Sequence, residues 1–208
     1  MTRKQRADAH RSRMAILDTA ARILNGHPEA SVETIAVGAG VTRQTVYAHF
    51  PSREQLLVAV LDRLTELTVA AMDAAAADEG PAAETLLRVL NAAANESGRY
   101  PALLQRIAAL PIAARTGHAR HAPIADRIER VIRRGQVAGE FDSGLPVDWL
   151  VVAAIHLAHA ASDERGSGRM TGPEAEHAFT TSLMRILAPA VDPPAGRARG
   201  LESKTPTA

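Results

Sequence analysis

The 208-residue chain has no cysteine, which excludes disulfides, thiolate metal sites and a cysteine nucleophile together. Aromatic residues make up only 3% of it. That scarcity argues against a large stacking pocket for planar molecules, although Trp149, Tyr100 and Phe141 remain available to one. No stretch reaches the roughly 18 uncharged apolar residues of a membrane span. The nearest, residues 145–161, is interrupted by Asp148, His156 and His159. The first residues carry Arg3, Lys4, Arg6, Arg11 and Arg13 with no apolar run behind them, which is not the pattern of a signal peptide. A cytoplasmic protein without a membrane partner is expected. A large charge of one sign is also missing, since the net charge is +1. Any affinity for nucleic acid must therefore come from a local basic surface.

What is present is helical in character. The chain is 46% hydrophobic, 23% charged and rich in Ala, the residue of highest helix propensity. From Ala7 to Leu24 the apolar residues Met14, Leu17, Ala20, Ala21 and Leu24 recur at three- and four-residue spacing, which predicts a first helix ending at Asn25-Gly26, with Gly26 in the left-handed region. Ser31 is a suitable N-cap for a short second helix over 32–39, Gly40 marks a tight turn, and Thr42 caps a third helix that Pro51 stops near His49. Two short helices around a glycine-containing turn make a helix-turn-helix. Ser52 caps a longer fourth helix whose apolar stripe, from Leu56 through Leu64 to Met72, outruns a DNA-binding module and predicts a connection between two domains.

Helical stripes continue beyond Gly80-Pro81 with no sustained strand alternation, and breaks are expected at Gly98, Pro111, Gly117, Pro123 and Gly135. The segment 147–161 is apolar nearly all round, with Leu150, Val151 and Ala154 on one side and Trp149, Val152, His156 and His159 on the other, so burial on all sides is expected. A last helix opens with a capping box at Thr171 and Glu174. Paired with its predecessor, it offers a surface to a second subunit.

The chemistry is concentrated in residues 42–50. On a helix Val46 and Phe50 share one face and pack inward, which leaves Arg43, Gln44, Thr45, Tyr47 and His49 pointing out. Arg suits guanine and Gln suits adenine in the major groove, while Thr, Tyr and His can donate to phosphate oxygens. Arg53, in the first turn of the fourth helix, lies within reach of a phosphate. The basic segment ahead of the first helix adds salt-sensitive backbone or minor-groove contacts.

These residues resemble a known signature. The stretches 31–36, Ser-Val-Glu-Thr-Ile-Ala, and 40–57, beginning Gly-Val-Thr-Arg-Gln-Thr-Val-Tyr-Ala-His-Phe-Pro, are similar to the N-terminal pattern of TetR-family regulators, and residues 134–141 with the Trp149 helix resemble the family's C-terminal pattern. Two positions depart from it: Gly38 stands where a larger residue is usual, and His27 where an aromatic is common.

The resemblance implies an all-α homodimer with an N-terminal three-helix helix-turn-helix domain and a C-terminal helical ligand-binding and dimerisation domain. The expected organisation is a partly disordered basic arm over 1–13, the DNA-binding domain over 14–55, the ligand and dimer domain over 56–188 and a disordered tail over 189–208. DNA contacts are expected from Ser31, Thr42, Arg43, Gln44, Thr45, Tyr47, His49 and Arg53. The family's cavity would be lined by Met72, Leu104, Ile107, His121, Trp149, Val152, Ile155, His156 and His159, and the last two helices would form the dimer interface. The implied function is a repressor that leaves its palindromic operator when a small-molecule effector binds.

Other readings of the same residues are weaker. His156 and His159, and likewise His118 and His121 in an expected loop, are spaced three apart, yet no supporting carboxylate accompanies them; core or pocket histidines explain them better than a metal site. The cluster Arg127, Arg130, Arg133 and Arg134 alternates with Ile128, Val131 and Ile132 as a solvated helix face does. No Ser/His/acid set has a recognisable context, so neither an enzyme nor a cofactor is expected. A DNA-binding protein without a ligand response, and a helical enzyme or small-molecule carrier, stay open as alternatives.

Overall fold

The computed structural model describes residues 3–77, 80–108 and 111–189. Among these there are helices and no strands: α1 (Arg3–Gly26), α2 (Val32–Gly38), α3 (Arg43–His49), α4 (Arg53–Ala75), α5 (Ala82–Gly98), α6 (Pro101–Ala108), α7 (Pro111–Val137), α8 (Val147–Gly166) and α9 (Gly172–Leu187). None of the helices is long and apolar enough to cross a membrane, among the described residues. Of the tail expected over 189–208, residues 190–208 lie outside them.

The short helices of the head are held by their caps. Side-chain oxygens of Ser31, Thr42 and Ser52 each accept the backbone N–H three residues on, at 3.1 Å, and satisfy a donor that the first turn of the helix leaves without a partner. Between α2 and α3 the chain reverses through Gly40 at φ +68°, a conformation that L side chains rarely adopt. Behind these caps lies one apolar core, in which Ile16, Leu17, Ala20 and Leu24 of α1 meet Ile35 of α2, Val46 and Phe50 around α3, and Leu56 and Val60 of α4.

The unusual Gly38 has a packing reason. A Cβ there would stand 2.8 Å from Ile23 Cδ1 and 3.1 Å from Thr19 Cγ2, so the glycine lets the end of α2 press against α1. Gly38→Leu should lower stability by about 1–3 kcal/mol through overpacking, read as a shift of the urea midpoint at constant slope; an unchanged midpoint would show that α1 and α2 separate freely.

The second core is C-terminal. Met72 of α4, Leu86 and Val89 of α5, Ile128 and Ile132 of α7, Leu150 and Ala154 of α8, and Phe179, Leu183 and Leu187 of α9 form it. Helix α4 thus runs through both cores and is shared between them.

Several local expectations need correction. The basic segment is helical from Arg3, so α1 begins four residues ahead of Ala7. Gly26 stays within α1 and is not among the glycines with positive φ. Helix α7 passes through Gly117, Pro123 and Gly135 without a break, and the backbone of the presumed His118–His121 loop is helical; the side chain of His118 lies outside the described residues. An interior proline costs a helix about 3 kcal/mol. Burial of Ile128, Val131 and Ile132 just beyond Pro123, at 1%, 7% and 0% exposure, offsets that cost, since a buried aliphatic side chain contributes about 1.5–3 kcal/mol.

The stretch after α7 shows what its glycines do. Gly139, at φ +75°, turns the chain so that the N–H groups of Glu140 and Phe141 return to the carbonyl of Gly135, at 2.9 and 3.2 Å. Gly135 itself leaves room for the Phe141 ring, which a Cβ would approach to 2.2 Å. Gln136 Nε2 then donates to the carbonyls of Asp142 and Leu145, fixing the approach to α8.

The capping box of α9 is present. The Glu174 carboxylate accepts from the N–H and hydroxyl of Thr171, both at 2.8 Å, and these bonds, the backbone one foremost, hold its pKa below the usual value. A carboxyl depressed in the folded state contributes stability above its unfolded pKa and loses it as pH falls through the folded one. Glu174→Gln keeps the capping geometry without the titration, so its unfolding midpoint should fall less steeply than the wild type's as pH drops below about 4.3. Equal slopes would show that the cap does not tune this group.

Candidate nucleic-acid interface

Helix α3 presents the surface expected of a recognition helix. Val46 and Phe50 are 1% and 3% exposed and anchor it to the core, whereas Arg43 and Gln44 are open to solvent and Tyr47 is 37% exposed. Thr45 and His49 are half-buried at its edges. The Arg43 guanidinium carbon lies 5.4 Å from the centre of the Tyr47 ring, one helical turn on, within range of a cation–π contact. Hydrogen bonding by the Tyr47 side chain, then its charge interaction and a smaller one from Glu33, raise the guanidinium's pKa, so Arg43 faces solvent fully charged. A charged planar donor beside an amide, both on an exposed helix edge, matches the acceptor-rich major-groove edge of purines.

Several of the expected DNA residues are engaged within the head, Ser31, Thr42, Thr45 and Arg53 among them. Ser31 and Thr42 oxygens cap their helices and also lie 3.0 and 2.9 Å from the hydroxyls of Thr34 and Thr45. Arg53, expected at a phosphate, donates to the carbonyl oxygens of Ala30 at 2.5 Å and Pro28 at 3.1 Å, and so braces the α1–α2 loop. Its role in this structure is to fix the entry of α2.

Sequence reasoning missed the joint between the head and the rest of the chain. Asn25 Oδ1 accepts the N–H of Leu103 in the first turn of α6, at 3.2 Å, and Asn25 Nδ2 donates to the carbonyl of Arg99 at 3.4 Å. Arg106 of α6 pairs with Glu29 in the α1–α2 loop. Leu103 and Ile107 are buried in the N-terminal core, with Leu104 packed against it. The Asn25-Gly26 pair reads locally as a helix stop, and no local signal links it to a residue 78 positions away.

The residues expected to line one ligand cavity do not gather in one place. Leu104 and Ile107 belong to the head core, because α6 packs on α1. Met72 is fully buried in the C-terminal core, with Ile155 half-buried against it. Trp149 and Val152 are 60% and 47% exposed, and His156 shares their face of α8. The expectation that α8 is buried on all sides therefore fails within one subunit. His121, His156 and His159 gather where α7 meets α8: the His159 ring centre lies 6.2 Å from that of His121 and 6.4 Å from that of His156. Burial, then the charges of His121 and His156, push the His159 pKa down. Among the described residues no three such groups are placed to hold a metal ion. A void of about 110 Å³ lies between α1, α4 and α6, bordered by Leu24, Leu57 and Ile107. It is well below the roughly 300 Å³ at which drug-sized ligands begin to fit.

Residues 16–60 match the family model for bacterial regulatory proteins of the tetR family. Over 174 residues the chain is 30% identical to the HTH-type transcriptional regulator EthR of Mycolicibacterium smegmatis, spanning 82% of this chain and 69% of that protein. The chain belongs to the tetR family. This tetR-family protein is also 41% identical over 80 residues to the HTH-type transcriptional repressor LfrR of Mycolicibacterium smegmatis, a match that covers 38% of the chain and 42% of LfrR. The crystal structure of the TetR-like regulator LfrR from Mycobacterium smegmatis in complex with proflavine superposes with a TM-score of 0.63 at 28% identity, over 86% of this chain and 97% of that one. The matched tetR-family segment begins at Ile16 and ends at Val60, so it contains the whole of α2 and α3 with their caps and most of the core beneath them. These matched relatives are named as transcriptional regulators.

Proposed function

We propose that this protein is a ligand-responsive repressor that binds a palindromic operator as a homodimer and is released by a small-molecule effector. The observation that carries the reading is the face of α3, where Arg43 and Gln44 are open to solvent and Val46 and Phe50 fix the helix from behind. Arg43 and Gln44 read base edges, Tyr47 and His49 hold phosphates, and Thr45 adds a contact at the groove edge.

The dimer uses the outer face of α8, where Trp149, Val152 and His156 lie, together with the adjoining flank of α9. Two such helix pairs form a four-helix packing across a two-fold axis. The axis sets the two copies of α3 about 34–36 Å apart, one turn of B-DNA. LfrR, whose solved structure holds proflavine, supports a response to a small molecule; the effector site is assigned to the C-terminal core, near Met72 and Ile155. An effector coupling of about 1–3 kcal/mol gives a roughly 5–150-fold loss of operator affinity.

The test is fluorescence anisotropy on a duplex selected from a random pool, followed by a screen of metabolites and small cationic and phenolic compounds for release. Release by one compound, with saturable binding to the DNA-free protein, supports the reading. Operator binding that no compound in the screen alters favours a repressor without a ligand response.

A further inference from the structure

The first three turns of α1 carry a charge pattern that the recognition helix does not need. Residues 3–13 hold five basic residues and one acid, a net +4, whereas the whole chain has +1; all other residues together therefore carry −3. The net positive charge of the protein thus comes from one end of one helix. At 100° per residue, Arg3, Arg6, His10 and Arg13 fall within about 80° of one another and form a single stripe. All four are exposed. The one acid of the segment, Asp8, lies off the stripe and pairs with Arg11. Among the described residues no carboxylate pairs with Arg3 or Arg6.

The stripe is placed by the fold. At its inner end the Arg13 guanidinium carbon sits 5.3 Å from the centre of the Phe50 ring, and Phe50 is the residue that ends α3. The neighbouring His49 ring lies 6.1 Å from that of Phe50. The basic stripe thus begins beside the C-terminal end of the recognition helix and runs outward along α1 for about 15 Å, the length of ten helical rises. That is about four base-pair steps of B-DNA.

We propose that the N-terminal turns of α1 form a rigid basic rail that binds the phosphate backbone of the duplex flanking each half-site, through Arg3, Arg6, His10 and Arg13. The inference rests on the operator-binding reading given above and assigns it a second, sequence-independent surface. Because the rail is already helical, its charges are ordered before DNA arrives. A disordered arm would have to lose about 1–2 kcal/mol of backbone entropy per residue to reach the same state.

The test uses the full-length dimer and a selected duplex carrying native-length flanks. The double variant R3Q/R6Q removes two charges per subunit, four per dimer. If each meets one phosphate, the slope of log affinity against log salt falls by about 3–4, at roughly 0.9 per phosphate. Hydroxyl-radical protection should shrink at the outer edges of both half-sites, with the same selected core sequence. R3K/R6K, which keeps the charge, should restore the slope and the protected edges. Both positions are exposed, so circular dichroism and dimer mass should match the wild type.

An unchanged slope with unchanged protection overturns the rail while leaving operator recognition standing. Retention of R3Q/R6Q on DNA at the wild-type slope, coupled with its loss from vesicles of phosphatidylserine and phosphatidylcholine, overturns it in favour of a membrane surface. A wild-type protein that retains no duplex at all overturns both readings.

Discussion

Arg43→Ala, purified as a folded dimer, should bind its selected operator roughly 30-fold to 20,000-fold more weakly than the wild type. A bidentate arginine–guanine contact is worth about 1–3 kcal/mol of discrimination, and a dimer on a palindrome makes it twice, which gives about 2–6 kcal/mol. The size of the loss depends on where the side chain sits. Arg43 is exposed on α3, one turn from Tyr47, and its removal takes nothing from the core that Val46 and Phe50 occupy. Thermal midpoint and helicity should accordingly stay at wild-type values. Tyr47→Phe keeps the ring beside Arg43 and removes the hydroxyl, and with it both the hydrogen bond to Arg43 and the phosphate contact proposed for it. It should weaken binding to all duplexes about equally, whereas Arg43→Ala should flatten the preference at one base pair in each half-site. Equal affinity of Arg43→Ala and wild type for the selected duplex would show that another surface reads the sequence.

Val152→Asp should convert the dimer into a monomer and, through that change alone, weaken operator binding by about 100-fold to 10,000-fold. Val152 is 47% exposed on the outer face of α8 beside Trp149, at 60%. A charge there meets water in the lone subunit but would face its own copy across a two-fold axis in the proposed dimer, where burial without a partner is costly. Two linked heads gain from effective concentration, and a single head loses that gain without losing any base contact. Light scattering should report a mass near 22.0 kDa in place of twice that value. The monomer should still recognise a half-site, weakly and with the same base preference. A dimeric Val152→Asp protein would move the interface away from this face of α8.

The parts of this molecule that were legible in the sequence are those specified locally. Ser31, Thr42 and Ser52 are caps because a short oxygen side chain stands three residues ahead of a free N–H, and Gly40 is a turn because its φ excludes other residues. The outward face of α3 followed from the spacing of Val46 and Phe50. What stayed hidden depends on distant partners. Arg53 has a sequence position compatible with a phosphate and with a loop carbonyl, and only the path of residues 28–30 decides between them. Asn25 meets Leu103 across 78 residues, and Leu104 and Ile107 read as cavity residues until α6 is seen to rest on α1. Pro123 looked like a break because its intrinsic cost is local, whereas the burial that outweighs it comes from packing with α5 and α8. The outward Trp149 face was expected to be buried because an apolar helix face calls for cover, and one subunit by itself leaves that face open.

The joint between α6 and the head gives the two cores a direct mechanical connection. Asn25 fixes the first turn of α6, Arg106 and Glu29 close the rim, and Leu103 and Ile107 are buried among residues of the head. Helix α4 supplies the other connection, since its first half packs in one core and Met72 in the other. In the ligand-responsive dimer proposed above, a ligand that alters the C-terminal core would act on the head through these two connections and so change the separation of the two copies of α3.

The central claim, that α3 reads DNA through Arg43 and Gln44, is tested most directly by selecting duplexes from a random pool in parallel with the wild-type protein and with Arg43→Ala. The wild type should enrich a two-fold symmetric motif, and the variant should enrich the same motif with one symmetric pair of positions made indifferent. Enrichment of an identical motif by both proteins, or of none by the wild type, would contradict it.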